Sequence, residues 1–262
     1  MPPFREPPQH AFERVANFRD LGGHTTRDGR RVRCGRLYRS GHLAHCSDAD
    51  VAKLAEIGLR VVFDFRTQSD IEKDGADRLP DGTAHRRLPM PDPAANEDIR
   101  RMIREAGPDG LERIFGNGGA ERLMIRSAAN LVTQRKAPYA RFVAELARPE
   151  ALPALFHCSA GKDRAGWAGS VVLLALGVDE AEVIEQYLLS NRDLEANRER
   201  LRSELTDGWG ELLRPLLEVR IEYIEASLDA LRREWGSFDA YLHDGLGIRD
   251  VQRAQLAANL LE

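Results

Sequence analysis

The chain has 262 residues, 42% of them hydrophobic and 31% charged, with a formal net charge of −4. These values suit a soluble globular protein with a substantial core, and such a balance leaves no electrostatic footprint for nucleic acid. No apolar run approaches the roughly 20 residues an integral membrane helix needs.

The segment MPPFREPPQH lacks the apolar centre of a signal peptide. Three cysteines, an odd number, fit reduced thiols better than a disulfide framework. A cytoplasmic protein is the expectation, although secretion by a specialised route would leave no mark of this kind.

Residues 1–13 are proline-rich and read as a flexible tail, leaving 14–262 as a single domain. Turn signals at Gly22–Gly23 and Asp28–Gly29 precede a strand at Arg36–Arg39. Ser47 and Asp48 predict the start of a helix running through Leu54 and Ile57 to Gly58. LRVVFDF (Leu59–Phe65) has the β-branched and aromatic density of a buried strand, and Ala84–Met90 predicts another. From about 92 to 136 the pattern weakens. There AGPDG and GNGGA interrupt charged helical pieces, as in a variable, mobile surface insertion.

Tyr139–Ala147 predicts an amphipathic helix and ALPALFH (Ala151–His157) a buried strand. Arg164–Leu176 predicts a helix in which Gly166 and Gly169 permit close packing on a sheet. The remainder reads as helix. Val183, Ile184, Tyr187 and Leu188 share one face, and Ile221, Ile224, Leu228 and Leu231 share another. Strands alternating with helices predict an α/β fold with a mostly parallel central sheet flanked by helices.

The segment with most chemical content is HCSAGKDRAG. Five residues, Ser159, Ala160, Gly161, Lys162 and Asp163, separate Cys158 from Arg164. A strand ending near His157 and a helix starting near Arg164 would let the intervening amides form an anion-binding nest at the positive end of that helix. Ala160 and Gly161 are small enough for the backbone to approach an oxyanion, and the Arg164 fork matches two phosphate oxygens. The same field favours the thiolate of a cysteine. Cys158 is thus the candidate nucleophile, and Asp163 could protonate a leaving oxygen and later activate water. Lys162 would add charge at the rim.

Each residue has a plainer reading: a buried thiol at Cys158, a helix-capping carboxylate at Asp163, a core-facing imidazole that orients the loop at His157. It is the spacing of thiol, glycine, arginine and helix start that favours chemistry. This route needs no metal and no cofactor.

HCSAGKDRAG resembles the signature loop of the protein tyrosine phosphatase superfamily, and more narrowly that of bacterial tyrosine and lipid phosphatases of the mycobacterial PtpB type. NFRDLGG (17–23), LYRSGHL (37–43), VVFDFRTQSDIE (61–72) and RLPMPD (87–92) match that pattern in order, and YLLSN (187–191) and residues 218–248 follow. The resemblance implies Cys158 as nucleophile, Arg164 as phosphate ligand, Asp163 as acid, and Asp64 near the pocket. It implies phosphorylated protein or phosphoinositide substrates, Lys162 being the residue that points to the lipid. It also implies a helical lid over about 196–219. Two departures stand out: Ala165 replaces the usual Ser or Thr, and no tryptophan-proline-aspartate loop is present, so Asp92 of MPD rivals Asp163 as acid.

HLAHCSD places His42, His45 and Cys46 close together, but no second ligand pair at a recognised spacing supports zinc, and solvated loop residues are the expectation. A rhodanese-like sulfurtransferase and a non-catalytic phosphate-binding module are the alternatives. The Gly-Lys-Asp-Arg run and the helical C-terminal third weigh against the first, the intact Cys, Asp and Arg against the second.

Overall fold

Strand β5 (Ala154–His157) runs through the centre of a five-stranded sheet in the computed structural model, which describes residues 10–91, 107–195 and 209–262. The other strands are β1 (Arg19–Asp20), β2 (Leu37–Ser40), β3 (Val61–Asp64) and β4 (Ala84–Arg87), in the order β1-β2-β5-β3-β4. Only the β1–β2 pair is antiparallel. Parallel strands bury both faces, and alternate side chains serve opposite sides. Leu37, Val61, Phe63, Ala154 and Phe156 enter the main core, while Tyr38, Val62 and Leu155 enter a second cluster on the other face.

The second cluster is closed by α1 (Asp48–Ile57). Ser47 accepts from the Asp50 amide at the start of that helix, and Gly58 ends it in the left-handed region. Cys46 is buried there beside Leu43 and Leu54. Burial, with Asp50 and Asp77 nearby, pushes its thiol up to about 12. The expectation of a solvated loop residue therefore fails for Cys46, because its small apolar side chain completes a packed cluster. Helix α2 (Gln68–Asp74) follows β3.

The opposite face carries α3 (Gly107–Phe115), α4 (Gly119–Gln134), α5 (Lys136–Leu146), α6 (Arg164–Ala175), α7 (Glu180–Leu188), the short α8 (Ser190–Asp193), α9 (Trp209–Leu217) and α10 (Ile221–Trp235). Leu131 and Val132 of α4 lie in the main core, so one face of the helix in the second half of the weakly patterned 92–136 region packs inward. Its charge belongs to the outer side of an amphipathic helix. On α10, Tyr223, Ile224, Leu228 and Leu231 are buried, whereas Ile221 is 43% exposed and sits outside the predicted apolar face. Leu213 of α9 packs with Leu111, Phe115 and Ala120. Most of the segment expected to form a lid, 196–208, lies outside the described residues, as does Asp92.

Candidate active site

The site is built where β5 stops at His157 and α6 starts at Arg164, at the C-terminal edge of the parallel strands, where open α/β sheets place their ligands. In the intervening loop every carbonyl is taken by the scaffold. Cys158 O faces His157 Nδ1 at 3.1 Å, Ser159 O accepts from the His42 amide at 3.0 Å, and Ala160 O accepts from Asn17 Nδ2 at 3.0 Å. Gly161 O and Lys162 O accept from Arg39 Nε at 2.8 Å and Nη2 at 3.2 Å. Asp163 O accepts the first helical bond from Trp167 N at 2.9 Å.

A trans peptide is planar, with its N–H opposed to its C=O. Each carbonyl held by the scaffold therefore turns the following amide, from residue 159 to 164, away from that carbonyl's partner. That is the arrangement an oxyanion requires. Gly161 is needed twice over: its φ is +72°, and a Cβ would stand 2.3 Å from Ser40 O.

Cys158 is 2% exposed. Arg164, equally buried, donates from Nη1 to Asp70 Oδ2 at 2.7 Å and to Phe65 O and Met90 O at 3.3 Å each. Tyr139 Oη donates to Arg164 O at 3.1 Å. Burial alone would raise the Asp70 carboxyl, but the charge and hydrogen bond of Arg164 hold it below its usual range. Lys162 Nζ meets Asp163 Oδ1 at 2.9 Å and Oδ2 at 2.8 Å, and reaches Glu218 O at 3.4 Å. Asp163 stands at the N-cap position of α6 but makes no side-chain capping bond. A cavity of about 10 Å³, room for about one water molecule, adjoins it and is lined also by Ser127, Tyr187 and Ser227. Ser159 Oγ is buried and meets no hydrogen-bond partner among the described residues.

Residues 10–262 match the tyrosine phosphatase family. The chain belongs to that family. It is 34% identical over 256 residues to a Cupriavidus necator protein named provisionally as a tyrosine-protein phosphatase, covering 96% of this chain and 88% of the relative. It is 31% identical over 265 residues to the triple specificity protein phosphatase PtpB of Mycobacterium tuberculosis, covering 90% and 94%. A tyrosine-protein phosphatase of Nostoc commune is 26% identical, over 85% of this chain and 73% of the relative.

In this tyrosine phosphatase family member, Asp64 is bonded to Arg66, two residues on. Its carboxylate is fully buried and held by Arg66 Nη2 at 3.0 Å, with His85 Nε2 at 3.6 Å. Burial would raise it; the bond from His85, the His157 ring and Arg66 outweigh that and hold it well below the usual carboxylate range. Asp77 belongs to the same network, facing His157 Nε2 at 3.1 Å, His85 Nε2 at 3.4 Å and Arg66 Nη2 at 2.9 Å. His157 thus links this buried charge cluster to the Cys158 carbonyl.

Asp64, Asp77, His85 and His157 bring possible metal-ligand atoms within 4.8 Å of one another. Arg66 already lies against both carboxylates, so the set is closed as an ion-pair network without a metal. His42, His45 and Cys46 form no such group among the described residues.

Sequence reasoning missed Arg39, Asn17 and Asp70. A lone arginine inside the buried strand LYRS was the available signal for the first. For Asn17, whose φ is +57°, the adjacent Gly-Gly turn hinted at special backbone. Asp70 could have been found as the partner of Thr67 in a capping box.

Proposed function

We propose that the protein is a metal-independent, cysteine-dependent phosphatase that hydrolyses phosphotyrosine, and phosphoinositide monoesters as a second substrate class, through a cysteinyl-phosphate. The observation that carries this reading is the run of six outward-turned carbonyls between a buried cysteine and a buried arginine. In this reading the six amides opposed to those carbonyls converge on one anion, where they would be worth more than in water.

In this reading the substrate phosphate sits against the amides of Ser159, Ala160, Gly161, Lys162, Asp163 and Arg164, with the Arg164 fork on two of its oxygens. The Cys158 thiolate attacks phosphorus, the ester P–O bond breaks, and the departing oxygen takes a proton from Asp163. Water then attacks the cysteinyl-phosphate and gives a proton to the Asp163 carboxylate. The S–P bond breaks, and inorganic phosphate leaves with the thiolate restored.

Lys162 Nζ lies against the Asp163 carboxylate, and in this reading phosphate draws the ammonium toward itself. A second phosphate on an inositol ring would do this directly, which is the support for the lipid arm. His157 and Asp64 support the loop from behind. Among the described residues no helix is long and apolar enough to cross a membrane; the reading carries a cytoplasmic location with it.

The test is hydrolysis of an aryl phosphate, a phosphotyrosyl peptide and a phosphoinositide, with Cys158→Ser as the blank. Turnover inhibited by vanadate and unaffected by chelators is expected. Phosphate binding without turnover of any of the three would leave only a binding module.

A further inference from the structure

Arg39 is fully buried at the end of β2, beneath the first turn of α6. A Cβ at Gly166 would stand 3.3 Å from its Nη2, and one at Gly169 3.8 Å from its Nη1. All its hydrogen bonds go to neutral acceptors: Gly161 O, Lys162 O, Ser190 Oγ at 2.9 Å and Gln186 Oε1 at 3.3 Å. Among the described residues no carboxylate lies within ion-pair distance of it. The nearest acids are already matched, Asp163 with Lys162 and Asp193 with Arg19. Arg19 is a like charge close by, sharing Ser190 Oγ at 3.0 Å. A buried cation with no carboxylate bonded to it, set near the positive end of a helix, is expensive to keep. Lys162 and Asp163 amides lie on the far side of the two peptide units it holds.

We propose that Arg39 is a positioning residue of the phosphate site, a buried cation that locks the Gly161 and Lys162 carbonyls outward so that the amides behind them meet the anion. The inference rests on the phosphatase reading above and names a residue that works through the backbone. Without the fork, two buried carbonyls lose their donors, and the left-handed Gly161 lets those peptides turn over. The amides of Lys162 and Asp163 then leave the anion.

The experiment measures inorganic phosphate as a competitive inhibitor of aryl phosphate hydrolysis in the wild type, Arg39→Lys and Arg39→Met. Calorimetry of phosphate binding in a Cys158→Ser background accompanies it, with melting temperature taken with and without phosphate. Loss of hydrogen bonds to a charged ligand predicts phosphate affinity about tenfold weaker for Lys and about 100-fold weaker for Met, with a smaller phosphate-induced rise in melting temperature. Lysine keeps the charge but not the fork, so that variant decides the matter even where methionine fails to fold. A folded variant whose phosphate affinity is within twofold of wild type overturns the proposal, even where its turnover and ligand-free stability fall. A wild type that hydrolyses no aryl phosphate would instead overturn the phosphatase reading itself.

Discussion

Arg164 donates to Asp70 across 94 residues of sequence, at 2.7 Å, with both side chains almost wholly buried. The carboxylate holds the guanidinium in place. Replacing it takes a bonded carboxylate from a buried arginine, which costs up to about 3–5 kcal/mol. Asp70→Ala should lower the denaturant midpoint by a corresponding amount and reduce kcat/KM for an aryl phosphate. Retained stability and activity would show that Asp70 does not hold Arg164 in solution.

Gly161→Ala tests the close approach of the loop to β2. The new Cβ would meet Ser40 O at 2.3 Å in a left-handed backbone, a strain of about 1–3 kcal/mol. The loop should shift, with activity lost before global stability. Circular dichroism melts alongside kcat/KM would check this; an active variant with an unchanged melt would contradict it.

The charge network behind Cys158 predicts how stability varies with pH. Hydrogen bonds to Asp64 and Asp77 raise His85 to about 9 from an ordinary 6.5. A raised histidine stabilises fully below the unfolded value and loses that contribution as pH climbs through the folded one. Melting temperature should therefore fall between about pH 6.5 and 9, and His85→Ala should flatten that limb. Asp64, Asp70 and Asp77 are all lowered, so their contribution is present above the ordinary 3.8 and lost as pH drops below it. An unaltered alkaline limb in His85→Ala would refute the assignment.

Leaving-group dependence separates the candidate acids. With Asp163→Asn, aryl phosphates of basic leaving groups should slow by about 10²–10⁴-fold, while those of acidic leaving groups change little. The same profile in Asp92→Asn, with Asp163→Asn unaffected, would move the acid to Asp92.

Ala165 is fully buried and takes the place of the Ser or Thr usual in the phosphatases that the loop resembles, whose hydroxyl would assist a departing thiolate. Breakdown of the cysteinyl-phosphate should limit turnover. Rapid quench with an aryl phosphate should give a burst of phenol, and Ala165→Ser should shrink it. No burst in the wild type would count against this.

What could be read without coordinates was what is encoded locally. Ser47 bounds α1 by its side-chain cap and Gly58 by its left-handed backbone, and the apolar run before Cys158 with the helical pattern after Arg164 marks a strand-loop-helix junction. The residues that shape the loop were another matter. Arg39 reaches Gly161 over 122 residues and Asn17 reaches Ala160 over 143, so neither leaves a periodic signal. Ile221 fits the 3.6-residue period but is exposed, because the packing of Tyr223 with Met124 and Ala128 sets which side of α10 faces inward. In α4, glycine and charge at one end masked Leu131 and Val132, which only the sheet's need for cover makes internal.

The most direct test is to trap the intermediate. Acid-quenched wild-type protein, digested after mixing with an aryl phosphate, should yield one peptide heavier by a phosphoryl group on Cys158, and Cys158→Ser should give neither adduct nor turnover. Phosphorus found on another side chain, or hydrolysis persisting in Cys158→Ser, would contradict a thiolate nucleophile at the base of this loop.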